Sequence, residues 1–170
     1  MKILCPRVLL LLCLGSAAGA QAPLPTVSDR PSESVACPAR VLLPDDPTPI
    51  LDLTLDEAWI QLGPPRRILS VRGNEPWQDD VAFDYGEGLS VYWYRDRIWQ
   101  IRLSEGYGAS CFGFFLGDPS DKAFSLLGTP DRNEADILEW RLPFRGYPAK
   151  LRILTRDGSI LEAYVYRSDY

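Results

Sequence analysis

Two stretches of the chain share one arrangement of apolar and polar positions. Leu55, Ala58, Trp59 and Leu62 fall on one helical stripe, and Ala123, Phe124 and Leu127 repeat it further along. Thr54 followed by Glu57 makes a capping box for the first helix, and Asp56 adds negative charge to its first turn. In the second, Asp118 stands as the cap, Pro119 takes the first helical position and Asp121 lies in the first turn. Gly63 followed by Pro64 stops one helix and Gly128 the other. The helices belong to a longer repeat, since the segment Leu51–Arg67 returns without a gap as Leu116–Arg132. The identities are Leu51/Leu116, Asp56/Asp121, Ala58/Ala123, Leu62/Leu127, Gly63/Gly128, Pro65/Pro130 and Arg67/Arg132.

After each helix the period changes to two. Val81, Phe83 and Tyr85 alternate with Ala82 and Asp84. Gly86-Glu87-Gly88 turns the chain, and Leu89, Val91 and Trp93 alternate with Ser90, Tyr92 and Tyr94. Asp96-Arg97 then leads into Trp99, Ile101 and Leu103. The second half offers Leu138, Trp140 and Leu142, then Leu151 and Ile153, then the hairpin dipeptide Asp157-Gly158, then Leu161, Ala163 and Val165. The pattern predicts an α+β fold of two tandem repeats, each a short capped helix followed by a three-stranded antiparallel meander. The repeats span residues 50–104 and 118–170, joined by a glycine-rich connector at 105–117 and preceded by a proline-rich lead-in at 21–49. Trp59, Phe83, Trp93, Trp99 and Trp140 take core-facing positions in this reading.

Residues 1–20 change the picture by adding a compartment. Lys2 and Arg7 precede the apolar run Val8–Leu14 and a small-residue stretch ending at Ala20, the arrangement of a secretory signal peptide cleaved near Ala20. The expected location is therefore periplasmic or secreted, with no transmembrane segment, because the apolar run falls far short of the ~20 residues a membrane helix needs. Losing Lys2 and Arg7 takes the 18 cationic residues to 16 against 23 acidic ones, a net charge of −7. Such a surface argues against nucleic acid as a partner.

Of four cysteines, Cys5 and Cys13 leave with the leader, so Cys37 and Cys111 remain. In an oxidising compartment this pair reads as a disulfide, worth roughly 4 kcal/mol in the chain-entropy model; the other reading is two separate buried thiols. A metal site has little to draw on, with no histidine and two cysteines, and no cofactor is expected. Catalysis is equally short of parts. Acid or base work would fall to Asp79, Asp80, Asp84, Glu87 or Glu105, all near turns, and a serine nucleophile would depend on Lys122 or Lys150.

The motif D-x-A-x-x-x-L-G-x-P-x-R, carried by residues 56–67 and 121–132 and followed by an aromatic-rich meander, resembles the BamE/SmpA-like superfamily. Two copies in one exported chain look like the tandem layout of the β-lactamase inhibitory proteins. The resemblance implies a lipid-anchored or exported partner of envelope assembly, although Leu11 and Leu12 stand before Cys13 where a lipidation site needs a small residue.

The expected function is therefore that of a non-catalytic exported protein-binding or envelope-assembly protein acting through a sheet surface. A secreted inhibitor of an envelope enzyme and a polysaccharide-binding module are the alternatives. The expected binding residues are Tyr92, Tyr94, Arg102, Arg152, Tyr164 and Tyr166, which alternate with the apolar positions, since tyrosine and arginine dominate interfaces. The competing reading is that these side chains pair across neighbouring strands, or cover one another where the two units meet. Arg67 and Arg132 either bind a partner carboxylate or pair with Asp56 and Asp121 of their own helices.

Overall fold

The computed structural model describes residues 40–73 and 80–170. Eight strands run through them: β1 (Arg67–Val71), β2 (Asp80–Gly86), β3 (Leu89–Tyr94), β4 (Arg97–Leu103), β5 (Arg132–Glu134), β6 (Ile137–Arg141), β7 (Ala149–Arg156) and β8 (Ser159–Arg167). Helix α1 (Leu55–Leu62) precedes the first four strands and α2 (Ser120–Leu127) the last four. Every neighbouring pair is antiparallel, and the order is β1-β2-β3-β4-β8-β7-β6-β5.

This corrects the expected architecture. The chain forms mostly one continuous eight-stranded sheet with two helices, not two tandem helix-plus-three-strand repeats. Two physical facts account for the difference. Each half adds a strand directly after its helix, and these strands, β1 and β5, are exposed at every residue, so they lack the inside–outside alternation that marks a strand in sequence. In addition, the last strands of the halves pair with each other: Gln100 lies opposite Tyr166, Ile101 opposite Val165, Arg102 opposite Tyr164 and Leu103 opposite Ala163.

Local chemistry explains the elements. The Thr54 hydroxyl accepts the Glu57 N–H at 3.3 Å while the Glu57 carboxylate accepts the Thr54 N–H at 2.8 Å, so α1 begins in a closed capping box. Helix α2 begins differently. Its cap is Pro119, without a side-chain bond, and Asp118 instead accepts the Phe115 N–H at 2.7 Å and the Lys122 ammonium at 2.8 Å. The β3–β4 hairpin turns through Arg95 and Asp96, and the β7–β8 hairpin through Asp157 and Gly158. Both pairs have positive φ, the geometry that matches strand twist.

Alternation within the strands sorts the two faces. Val91, Ile101, Leu103, Leu151, Ile153 and Val165 are buried in one core with Ala58 and Leu62 of α1 and Ala123 of α2, so both helices lie on that side. The loop between β4 and α2 contributes Tyr107, Cys111 and Phe114 to the same core. Trp59 does not join it; half of its surface is exposed. Among the described residues, no helix is long and apolar enough to cross a membrane.

Candidate functional site: the outer face of the sheet

The face turned away from the helices carries polar side chains in register across the sheet. One row reads Arg67, Asp84, Ser90, Arg102, Tyr164, Arg152, Glu139 and Arg132, one residue from every strand. A neighbouring row reads Tyr92, Gln100, Tyr166, Lys150 and Arg141. Five of the six expected binding residues, Tyr92, Arg102, Arg152, Tyr164 and Tyr166, therefore lie together on the central strands. The bulge at Trp93 opposes Trp93 to Ile98, which leaves Trp99 as the extra, half-buried residue rather than a core residue. Tyr94 lies beyond that bulge, with Tyr170 at 5.0 Å between ring centroids and the Arg95 guanidinium 5.2 Å from its ring.

Two carboxylates organise the central cluster. Glu139 is only 6% exposed, and its oxygens accept hydrogen bonds from the Lys150 ammonium at 2.7 Å, Arg152 at 3.0 and 3.2 Å and the Tyr166 hydroxyl at 2.5 Å. Burial alone would raise its pKa, but the bonds from Lys150, Tyr166 and Arg152 outweigh burial and hold it down at about 2. Glu162 accepts a two-pronged bond from Arg102 at 2.5 and 3.1 Å and another from the Tyr164 hydroxyl. It too titrates below the ordinary carboxylate range, burial being outweighed by Arg102 and Tyr164. Burial, reinforced by the bond to the carboxylate, pushes the Tyr164 and Tyr166 hydroxyls up to about 12.

Stacking adds a second layer of order. The Arg152 guanidinium lies 5.0 Å from the Tyr166 ring and Arg102 lies 6.0 Å from Tyr164. The tyrosines and arginines thus do pair across strands, and across the β4–β8 seam where the halves join. Glu139 and Lys150 belong to this cluster although neither was among the expected binding residues. Their signal lay in the alternation itself, which places Glu139 between inward Leu138 and Trp140 and Lys150 between inward Ala149 and Leu151.

The remaining candidates lie elsewhere. Arg67 pairs with Asp84 at 2.5 Å and Arg132 with Glu134 at 2.6 Å, so neither arginine serves the first turn of its own helix. Asp84 takes a further bond from the Gly86 N–H at 2.7 Å, and with Arg67 this holds its pKa low against the effect of burial. Cys111 is buried, 3% exposed, and has no disulfide partner among the described residues; burial pushes the pKa of its thiol up, with Asp45 and Asp46 adding to the effect. Cys37 lies outside the described residues, as do the leader and most of the lead-in. Among the described residues, no group of three or more His, Cys, Asp or Glu could hold a metal ion.

No protein-family model matches this chain, and no curated protein does. A solved structure described as a cysteine-rich secretory protein from Staphylococcus aureus subsp. aureus Mu50 is 9% identical, with the match covering 71% of this chain and 46% of that one at a TM-score of 0.49. The chain spans about half the length of that protein.

Proposed function

We propose that the protein is an exported, non-catalytic binding protein that captures a protein partner of the cell envelope on the outer face of its sheet. The observation that carries this reading is the ordered cluster at the β4–β8 seam, where Arg102, Arg152, Tyr164 and Tyr166 are half-buried and held by Glu139 and Glu162. Binding normally costs about 0.5–1.5 kcal/mol for each flexible side chain it immobilises. Here the guanidiniums and phenols are fixed before any partner arrives, so a larger part of the contact energy remains as affinity. Side chains of these types also supply most interface anchors.

The chemistry of the acidic groups supports binding over catalysis. Glu139 is ionised and bound by Lys150, Arg152 and Tyr166, which makes it a poor proton carrier near neutral pH. The raised pKa of Cys111 makes it a poor nucleophile. Export rests on the leader-like residues 1–20.

A photo-crosslinking amino acid in place of Tyr92 tests the proposal, because Tyr92 is on the face while its hydroxyl bonds neither carboxylate. Cells making the full chain should yield one crosslinked protein adduct from position 92 and none from Ser125 on the exposed side of α2. Adducts from Ser125 alone, or none from Tyr92, would overturn the reading.

A further inference from the structure

The loop that joins β6 to β7 carries the most exposed aromatic side chain among the described residues: Phe144 is 73% exposed. It forms no hydrogen bond or ring contact within those residues, so nothing in the fold accounts for it. Sequence sets the backbone just before it. Leu142 precedes a proline and is pushed toward extended geometry, and Pro143 has its own φ fixed by its ring. Leu142, Pro143 and Phe144 run without a bend, and the chain bends only at Arg145, Gly146 and Tyr147, with Gly146 at a φ of 88°.

Both sides of the Phe144–Arg145 peptide bond are anchored. Upstream, Leu142 packs against the core and its N–H donates to the Ala149 carbonyl at 2.9 Å. Downstream, the Arg145 guanidinium donates to the Asp46 carboxylate at 2.7 Å. The Tyr147 hydroxyl lies 2.9 and 3.1 Å from the carbonyl oxygens of Thr48 and Leu51, with the Arg167 guanidinium 4.6 Å from its ring. The Pro148 carbonyl accepts the Ser168 N–H at 3.0 Å. A loop tied down in this way loses little further freedom when a partner takes hold of its tip.

We propose that this loop inhibits a serine protease of chymotrypsin-like specificity, entering the cleft as an extended segment with Phe144 in the apolar slot that reads the residue before the cut bond. The shape selects the partner. A protease cleft accepts a projecting, unpaired stretch of backbone, and a slot of this kind takes one large aromatic side chain. The anchors separate an inhibitor from a substrate. Hydrolysis adds water across the Phe144–Arg145 bond and leaves a carboxyl group on Phe144 and an amino group on Arg145. Both new ends stay held, so the amine remains beside the carbonyl carbon and the bond re-forms, with loss of that water, before the halves part. No residue of the loop belongs to the seam cluster, so the inference stands apart from capture on the outer face.

The test mixes the full chain with α-chymotrypsin and, separately, with subtilisin, each hydrolysing a small chromogenic substrate. At about 10 µM the chain should at least halve the rate of one of them while its own Phe144–Arg145 bond stays intact. Phe144→Ala should weaken inhibition at least about 100-fold, as expected for an anchor that fills a pocket. Its melting should be unchanged, since the side chain is exposed. Phe144→Lys should carry inhibition over to trypsin, whose slot holds an aspartate. No inhibition of either enzyme at about 10 µM would overturn the proposal. So would rapid cutting of the native loop, full inhibition by Phe144→Ala, or a Phe144→Lys chain that leaves trypsin untouched.

Discussion

Glu139 is the residue on which the outer face depends. Its pKa near 2 means that the folded chain holds the ionised form, so the associated stability is fully present above the ordinary carboxylate pKa and is lost as pH falls through about 2. Glu139→Gln should therefore cost roughly 2 kcal/mol at pH 7, the full shift being discounted for the partial exposure of Lys150 and Arg152. The gap between variant and native protein should shrink as pH drops from about 4.5 toward about 2. Urea unfolding of both proteins across that range measures it, and a gap independent of pH would contradict the assignment. In sequence Glu139 reads only as a solvent-facing strand position between two core residues. Its burial arises from Lys150, Arg152 and Tyr166 on strands further along the chain, which no local pattern announces.

At the scale of elements, the turns and helix ends were the most legible features, because their causes lie within a few residues. The repeated Leu-Gly at 62–63 and 127–128 marks two helix ends, with φ of 73° at Gly63 and 78° at Gly128. Not every glycine of this kind is equally demanding. An added Cβ at Gly128 meets nothing within 4 Å, whereas at Gly88 it would lie 2.2 Å from the Ser104 carbonyl oxygen. Gly128→Ala should thus cost about 1 kcal/mol of backbone strain, and Gly88→Ala should exceed it by at least ~2 kcal/mol because backbone must shift as well. Thermal melts of the two variants decide the order; equal losses would show that the hairpin yields freely. The cap of α2 was misread because Asp118 has a nearer donor in Phe115 N–H and a cation four residues on in Lys122. The edge strands β1 and β5 were missed for the opposite reason, since exposure on both faces erases alternation.

For the whole molecule, what the pattern could not reveal is which strands meet. β4 and β8 each alternate well enough to end a sheet of their own, yet they pair, and the pairing makes one core and one continuous polar face from two similar halves. Chain halves that share a core in this way should unfold together. Amide hydrogen exchange in the native protein tests that most directly. The account predicts that the slowest amides include those of Gln100–Leu103 and Ala163–Tyr166, opening only with global unfolding and with the same free energy on both strands. Fast exchange at those residues, with protection instead greatest inside β2–β3 and β6–β7, would mean that the halves are separate sheets and that the seam carrying Arg102, Tyr164 and Tyr166 does not exist.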